Sequence, residues 1–298
     1  MSGVPAAPNL SFAKGPGLLA ALVALLLLYA LQRFFLRRLS PLPASLARPG
    51  WQDALEGAAL AALLLAATLL PAAAAHAFLK PGPGWEPYPQ PPRDAPVSGA
   101  GVAAFFLLQS LSEELAFRGV VLAAIALPLL FVLTQLFARR RADEPPDAPR
   151  LPRRRLGAWF AAGLVANPIQ AAVFAMLHAK NPHVSPLALV NIGLAGLLLG
   201  WLYWSQGAFW GAWSFHFLWN FGLAALGLPV SGLVAATRLL DVGITGARTG
   251  VLSGGFFGPE GSIFATVSLV AVLAALTARD VRTLRRHPVA APGYASVS

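Results

Sequence analysis

Asp, Glu, Lys and Arg together make up only 11 % of this 298-residue chain. An ionisable side chain inside an apolar stretch costs about 2.5–3.5 kcal/mol at a membrane centre and marks a functional site by default. The residues of that kind fall into three groups. The first is LLQSLSEELAFRGVV, with Glu113, Glu114 and Arg118. On a helix the two glutamates point about 100° apart, while Glu114 and Arg118 share a face four residues apart. An ion pair between these two neutralises Glu114 and leaves Glu113 free, and a poorly solvated carboxylate is suited to proton transfer near neutrality. The second is VFAMLHAKNPH, in which His178 ends an apolar run four residues after Phe174. His183, in the following NPH, reads as a loop residue. The third is WGAWSFHFLWNFG, where His216 and Asn220 lie four apart on one helical face. Both are expensive to bury unpartnered, and their donors aimed in one direction are what a developing oxyanion needs. The plainer readings are a Glu–Arg clamp, an interfacial histidine and polar helix glue. One shared site accounts for all three groups at once.

The chemistry these residues support is activation of water. Glu113, helped by His178, takes a proton from water as it attacks a peptide carbonyl; His216 and Asn220 steady the oxyanion; the same acid then protonates the leaving amine. A zinc ion held by His178 and His216 with Glu113 is the alternative, with an open position for water. No HExxH run and no GxSxG elbow is present, and GVLSGGFFGPEG lacks the lysine of a phosphate-binding loop. With no cysteine, thiolate chemistry and Cys-ligated metal are excluded.

The elements that must position these residues are membrane spans. The chain is 57 % hydrophobic with a mean hydropathy of +0.64, and its charged fraction is less than half the usual 25 % or so. A soluble surface cannot be made from it. Stretches long enough to cross the roughly 30 Å hydrocarbon layer lie at about 16–36, 54–79, 100–138, 156–179, 186–205, 208–228 and 261–278. The expected fold is an all-α polytopic bundle of about 7–8 spans. The run 100–138 is too long for one perpendicular crossing, and Pro128 is where a kink is expected. The Pro-rich loop 80–99 is too punctuated for regular structure, and 229–260 reads as a glycine-rich connection.

Basic residues alternate by loop. Arg33, Arg37, Arg38 and Arg48 follow the first span, seven arginines lie in 139–155, and Arg279, Arg282, Arg285 and Arg286 follow the last. The loops 80–99, 180–185 and 229–260 are nearly neutral. The net charge of +10 is therefore a topology signal that places the basic loops in the cytoplasm and the N-terminus outside. No basic patch is interleaved with exposed aromatics, so nucleic acid is not an expected partner. The partners are the lipid bilayer and a protein or peptide substrate. Trp201, Tyr203, Trp204, Trp210, Trp213 and Trp219 read as interface anchors or pocket wall, Asn191 as an inward-facing polar residue, and Gly193, Gly196 and Gly200 as a close helix contact. Asn167, Pro168 and Gln170 interrupt a span, with Gln170 a candidate for the cavity.

Taken together, the motifs resemble those of the CPBP intramembrane proteases, the CAAX proteases and bacteriocin-processing enzymes also called the Abi family. EExxxR is matched by Glu113, Glu114 and Arg118, FxxxH by Phe174 and His178, and HxxxN by His216 and Asn220. The resemblance covers roughly 98–278. It makes 98–279 a catalytic helical core; outside it, the hydropathy and charge pattern gives two N-terminal helices and a Pro-rich loop over 1–97 and a basic, flexible C-terminal tail over 280–298. The resemblance further implies an intramembrane endopeptidase in which Glu113 is the general base, His178 orients water, His216 and Asn220 form the oxyanion site, and Glu114 and Arg118 support the site. Members have been labelled both metalloproteases and metal-independent glutamate proteases. The resemblance favours the latter here, with no cofactor required and zinc the alternative. A non-enzymatic transporter or immunity scaffold using the same polar network is the competing class. The expected setting is the bacterial cytoplasmic (inner) membrane, with exported or membrane-anchored substrates.

Overall fold

The computed structural model describes residues 23–24, 26–31, 34, 49–75, 85–88, 98–138, 150–234, 239–240, 246–248 and 250–286. The described part is an all-α bundle: α1 (Gly50–Ala74), α2 (Gly99–Glu114), α3 (Ala123–Ala138), α4 (Arg150–Leu177), α5 (Pro186–Gln206), α6 (Trp210–Ala225) and α7 (Ile263–Arg286). A two-stranded antiparallel ribbon pairs β1 (Trp85–Pro87) with β2 (Gly246–Arg248). The loop 80–99 thus contains a short strand, because its partner lies 160 residues away and leaves no local signature.

Helix ends follow side-chain chemistry. The Ser98 hydroxyl accepts from the Gly101 amide at the start of α2, and that of Ser185 from the Ala188 amide at the start of α5, both at 3.1 Å. Pro186 at the first position of α5 costs no hydrogen bond. Gly207, at φ 61°, closes α5 in a left-handed conformation that disfavours a side chain.

Between α2 and α3 the backbone stays helical, but Leu115–Leu122 winds as a π-helix. Pro128 lies inside α3 and does not break it. An apolar surround offers the freed backbone groups no better partner, so the helix persists. The wider turn falls instead directly after the paired glutamates, in the kind of place π-bulges favour.

Five helices among the described residues are long and apolar enough to span a membrane: Gly50–Ala74, Gly99–Leu136, Gly157–Lys180, Pro186–Gln206 and Ile263–Arg282. The protein is an integral membrane protein. Among the described residues these five are identified, against the expected 7–8. Of 16–36, only residues 23–24, 26–31 and 34 are described, all helical; the rest lies outside the described residues. The stretch 208–228 contains α6, whose 16 residues span only about 24 Å. Helix α6 packs against α1, α2 and α5 and belongs to the interior. A Cβ on Gly57 would come within 2.1 Å of the Gly211 carbonyl oxygen, so α1 and α6 touch backbone to backbone.

The connections sort onto two ends. At one, Arg279 pairs with Glu56 and Asp280, and Trp201 donates to Asp280 at 2.9 Å, gathering the basic end of α7, the start of α1 and the end of α5. At the other, β1 pairs β2, and the Asn181 amide donates to the Ser231 carbonyl at 3.0 Å. The neutral loops 80–99, 180–185 and 229–260 therefore share one end of the bundle.

Candidate active site

A cavity of about 390 Å³ opens within the bundle between α2, α4, α5, α6 and the segment leading into α7. Its wall is largely apolar, with Phe106, Phe117, Phe174, Leu199 and Phe215 among the lining residues. Into it the structure brings Glu113, His178, His216 and Asn220 together, residues from three helices and up to 107 positions apart in sequence.

The paired glutamates divide their work. Glu114 is fully buried behind the cavity, where its Oε1 accepts from Arg118 Nη1 at 2.9 Å and lies 2.8 Å from His216 Nδ1. Arg118, also fully buried, reaches the Gly196 carbonyl at 3.3 Å and sets its guanidinium 4.8 Å from the Phe174 ring centre. The ion pair expected from the i, i+4 spacing thus exists, and it extends to a histidine on another helix. Glu113 faces the cavity. Its Oε1 accepts from Gln109 Nε2. Its Oε2 is buried, takes no protein hydrogen bond and lies 3.8 Å from His216 Nε2.

A carboxylate only accepts, so the His216 contact with Glu114 fixes a proton on Nδ1 and turns Nε2 towards Glu113. His178, in the turn His178–Lys180 that ends α4, is held in the same manner. Its Nδ1 lies 2.8 Å from the Phe174 carbonyl, which can only accept, and Nε2 is left unengaged by that bond. Asn220 Nδ2 donates to Gln109 Oε1 at 3.2 Å. His183 is exposed, its ring against Phe256 rather than in the cavity wall.

Two lining residues have no place in the sequence-based site. Gln109 sits one turn before Glu113 on the same face, a spacing that could have flagged it. Glu260 comes from the glycine-rich connection and is 7 % exposed. Its carboxylate accepts from Trp219 Nε1 and the Ser231 hydroxyl, each at 2.9 Å, and from the Ser231 amide. Asn191 secures the same segment, donating to the carbonyls of Glu260 and Ser262 at 2.7 and 2.8 Å. Gln170 lies outside the cavity wall. It and Asn167 instead bind the Gly196 and Leu197 carbonyls and clamp α4 to α5. The close approach expected at Gly200 is there, since a Cβ would fall 1.9 Å from Asn167 Oδ1. Of the aromatic set, Trp219 is pocket wall, while Trp204 stacks on Trp159 at 4.1 Å inside the bundle.

Among the described residues, no three His, Cys, Asp or Glu side chains converge as a metal site. Glu113, His178 and His216 are not gathered at a common point. This placement disfavours the zinc alternative.

Residues 97–222 match the family model described as type II CAAX prenyl endopeptidase Rce1-like. Over this stretch the chain is similar to the Rce1-like CAAX proteases. No curated protein and no solved structure matches the chain. The Rce1-like segment contains every member of the Glu113–His178–His216–Asn220 set, together with Gln109, Glu114 and Arg118. Ser231 and Glu260 lie beyond it, so part of the cavity wall is built from sequence outside the family match.

Proposed function

We propose that this protein is a glutamate-dependent intramembrane endopeptidase acting on membrane-anchored or exported substrates in the bacterial cytoplasmic membrane. The observation that carries the reading is Glu113 Oε2, a buried carboxylate oxygen without a protein hydrogen bond, facing a cavity lined also by His178, His216 and Asn220.

In this reading a water molecule lies between Glu113 Oε2 and His178 Nε2, which accepts one of its hydrogens and orients it. Glu113 takes the other proton as the water oxygen bonds to the scissile carbonyl carbon. The resulting oxyanion is met by Asn220 Nδ2–H and by His216 Nε2–H. With both ring protons on His216, the charges of Glu113, Glu114, Arg118 and His216 sum to zero. After proton transfer, the positive charge left on the cluster balances the oxyanion, and a poorly solvated site tolerates such neutrality best. As the tetrahedral intermediate collapses, the C–N bond breaks and Glu113 returns its proton to the departing nitrogen.

The apolar wall suits a substrate segment that enters from lipid. With the arginine-rich end of the bundle in the cytoplasm, the cavity would lie nearer the extracytoplasmic face.

The test uses the purified chain in lipid vesicles with quenched fluorescent peptides on hydrophobic anchors, in prenylated and unprenylated series. Glu113→Gln is expected to fold with unchanged yield and lose cleavage by about 10²–10⁴-fold. Full cleavage by well-folded Glu113→Gln would end the assignment of the base.

A further inference from the structure

We infer that Gln109 is a positioning residue that sets the polarity of the oxyanion site, by locking the Asn220 carboxamide with its nitrogen towards the cavity. The inference rests on the catalytic reading above and adds to it a residue outside the EExxxR, FxxxH and HxxxN motifs.

A carboxamide is nearly symmetric in shape and opposite in polarity at its two ends, so a turn of 180° exchanges donor for acceptor. Asn220 serves an oxyanion only with nitrogen facing it; flipped, it presents a carbonyl oxygen and repels the charge. The chain of contacts removes the ambiguity. Glu113 as a carboxylate can only accept, so Gln109 must turn Nε2 towards Glu113 Oε1. That turns Gln109 Oε1 towards Asn220, which must then offer Nδ2, at 3.2 Å. One of the two Nδ2 hydrogens is used in this bond. The other remains for the reaction.

The same contact acts on the base. With Oε1 engaged by Gln109, the oxygen of Glu113 free to take a proton is Oε2, the one nearer His216 Nε2. A single amide therefore couples the atom that accepts the proton to the atom that meets the oxyanion, across α2 and α6. The i, i+4 placement on α2 provides this from one helix face, and all three side chains line the cavity.

Gln109→Met keeps length and apolar bulk and removes both hydrogen bonds. In the vesicle assay it is expected to lower kcat by about 10–100-fold, with KM changed less than about threefold, the pattern of an interaction made in the transition state. Combined with Asn220→Ala, itself expected to cost about 10²–10³-fold, the double variant should lose clearly less than the product of the two single losses, since the two changes share the Asn220 donor while the bond to Glu113 is removed by Gln109→Met alone. Losses that multiply, or Gln109→Met within twofold of the parent chain, would overturn the inference. Glu113→Gln in parallel separates the cases: retained cleavage there defeats the catalytic reading itself. A readout free of substrate is the side-chain amide spectrum of protein labelled with ¹⁵N-asparagine. Gln109→Met should shift the Asn220 amide pair and leave those of Asn167 and Asn191 in place, and an unmoved Asn220 pair would sink the proposal.

Discussion

His216 Nδ1 lies 2.8 Å from Glu114 Oε1, a bond between α6 and the end of α2 that makes the second glutamate of the pair the orienter of the histidine. The first glutamate is thereby left to the cavity. Adjacent residues about 100° apart on a helix can serve two different surroundings, and here one faces the reaction space while the other is sealed behind it with Arg118.

Arg118→Ala is expected to act on folding. The guanidinium holds Glu114, the Gly196 carbonyl and the Phe174 ring, and its loss strands a fully buried carboxylate. Breaking a buried pair from one side costs about 3–5 kcal/mol, enough to lower the folded yield sharply. Size-exclusion profiles and thermal midpoints of Arg118→Ala and Glu113→Gln in the same detergent check this. Equal stability of the two would show that Glu114 does not depend on Arg118.

The parts of this site that were legible in the sequence are those where polarity conflicts with surroundings. Glu113, Glu114, Arg118, His178, His216 and Asn220 each interrupt an apolar span, and that cost is visible without a structure. Gln109 also interrupts one, but an uncharged amide in a span reads as helix glue, and its task appears only when Asn220 arrives from another helix. Glu260 carries no periodic signal, and its bond to Trp219 crosses 41 positions of sequence. The π-helix after Glu114 was likewise hidden, since proline is the local signal for distortion and Leu115–Leu122 contains none. The shortness of α6 was missed because hydropathy measures apolar length, and the flanking residues 226–228 are as apolar as the helix yet lie beyond it.

Removal of metal is expected to leave cleavage intact. The zinc alternative needs His178, His216 and Glu113 to meet at one point, and they are not so placed. Purified protein should hold well under one zinc per chain by elemental analysis and should cleave after exhaustive chelation. Activity that tracks one bound zinc, and returns when zinc is restored, would replace the general-base role of Glu113 with that of a ligand.

The sidedness of the bundle gives the final prediction. The β1–β2 pairing and the Asn181–Ser231 bond put the neutral loops at one end, and the Arg279–Glu56 pair marks the other. Arginine-rich connections stay in the cytoplasm, so the neutral end should face outwards. The chain has no cysteine of its own, and single cysteines can report each end. In spheroplasts an impermeant thiol reagent should label Gln90→Cys and Val251→Cys, and should reach Asp143→Cys only after the membrane is opened. The reverse pattern would invert the topology and turn the cavity towards the cytoplasm. Labelling of Gln90→Cys and Val251→Cys from opposite sides would contradict the fold itself, because the strand pairing requires their two segments to share one face.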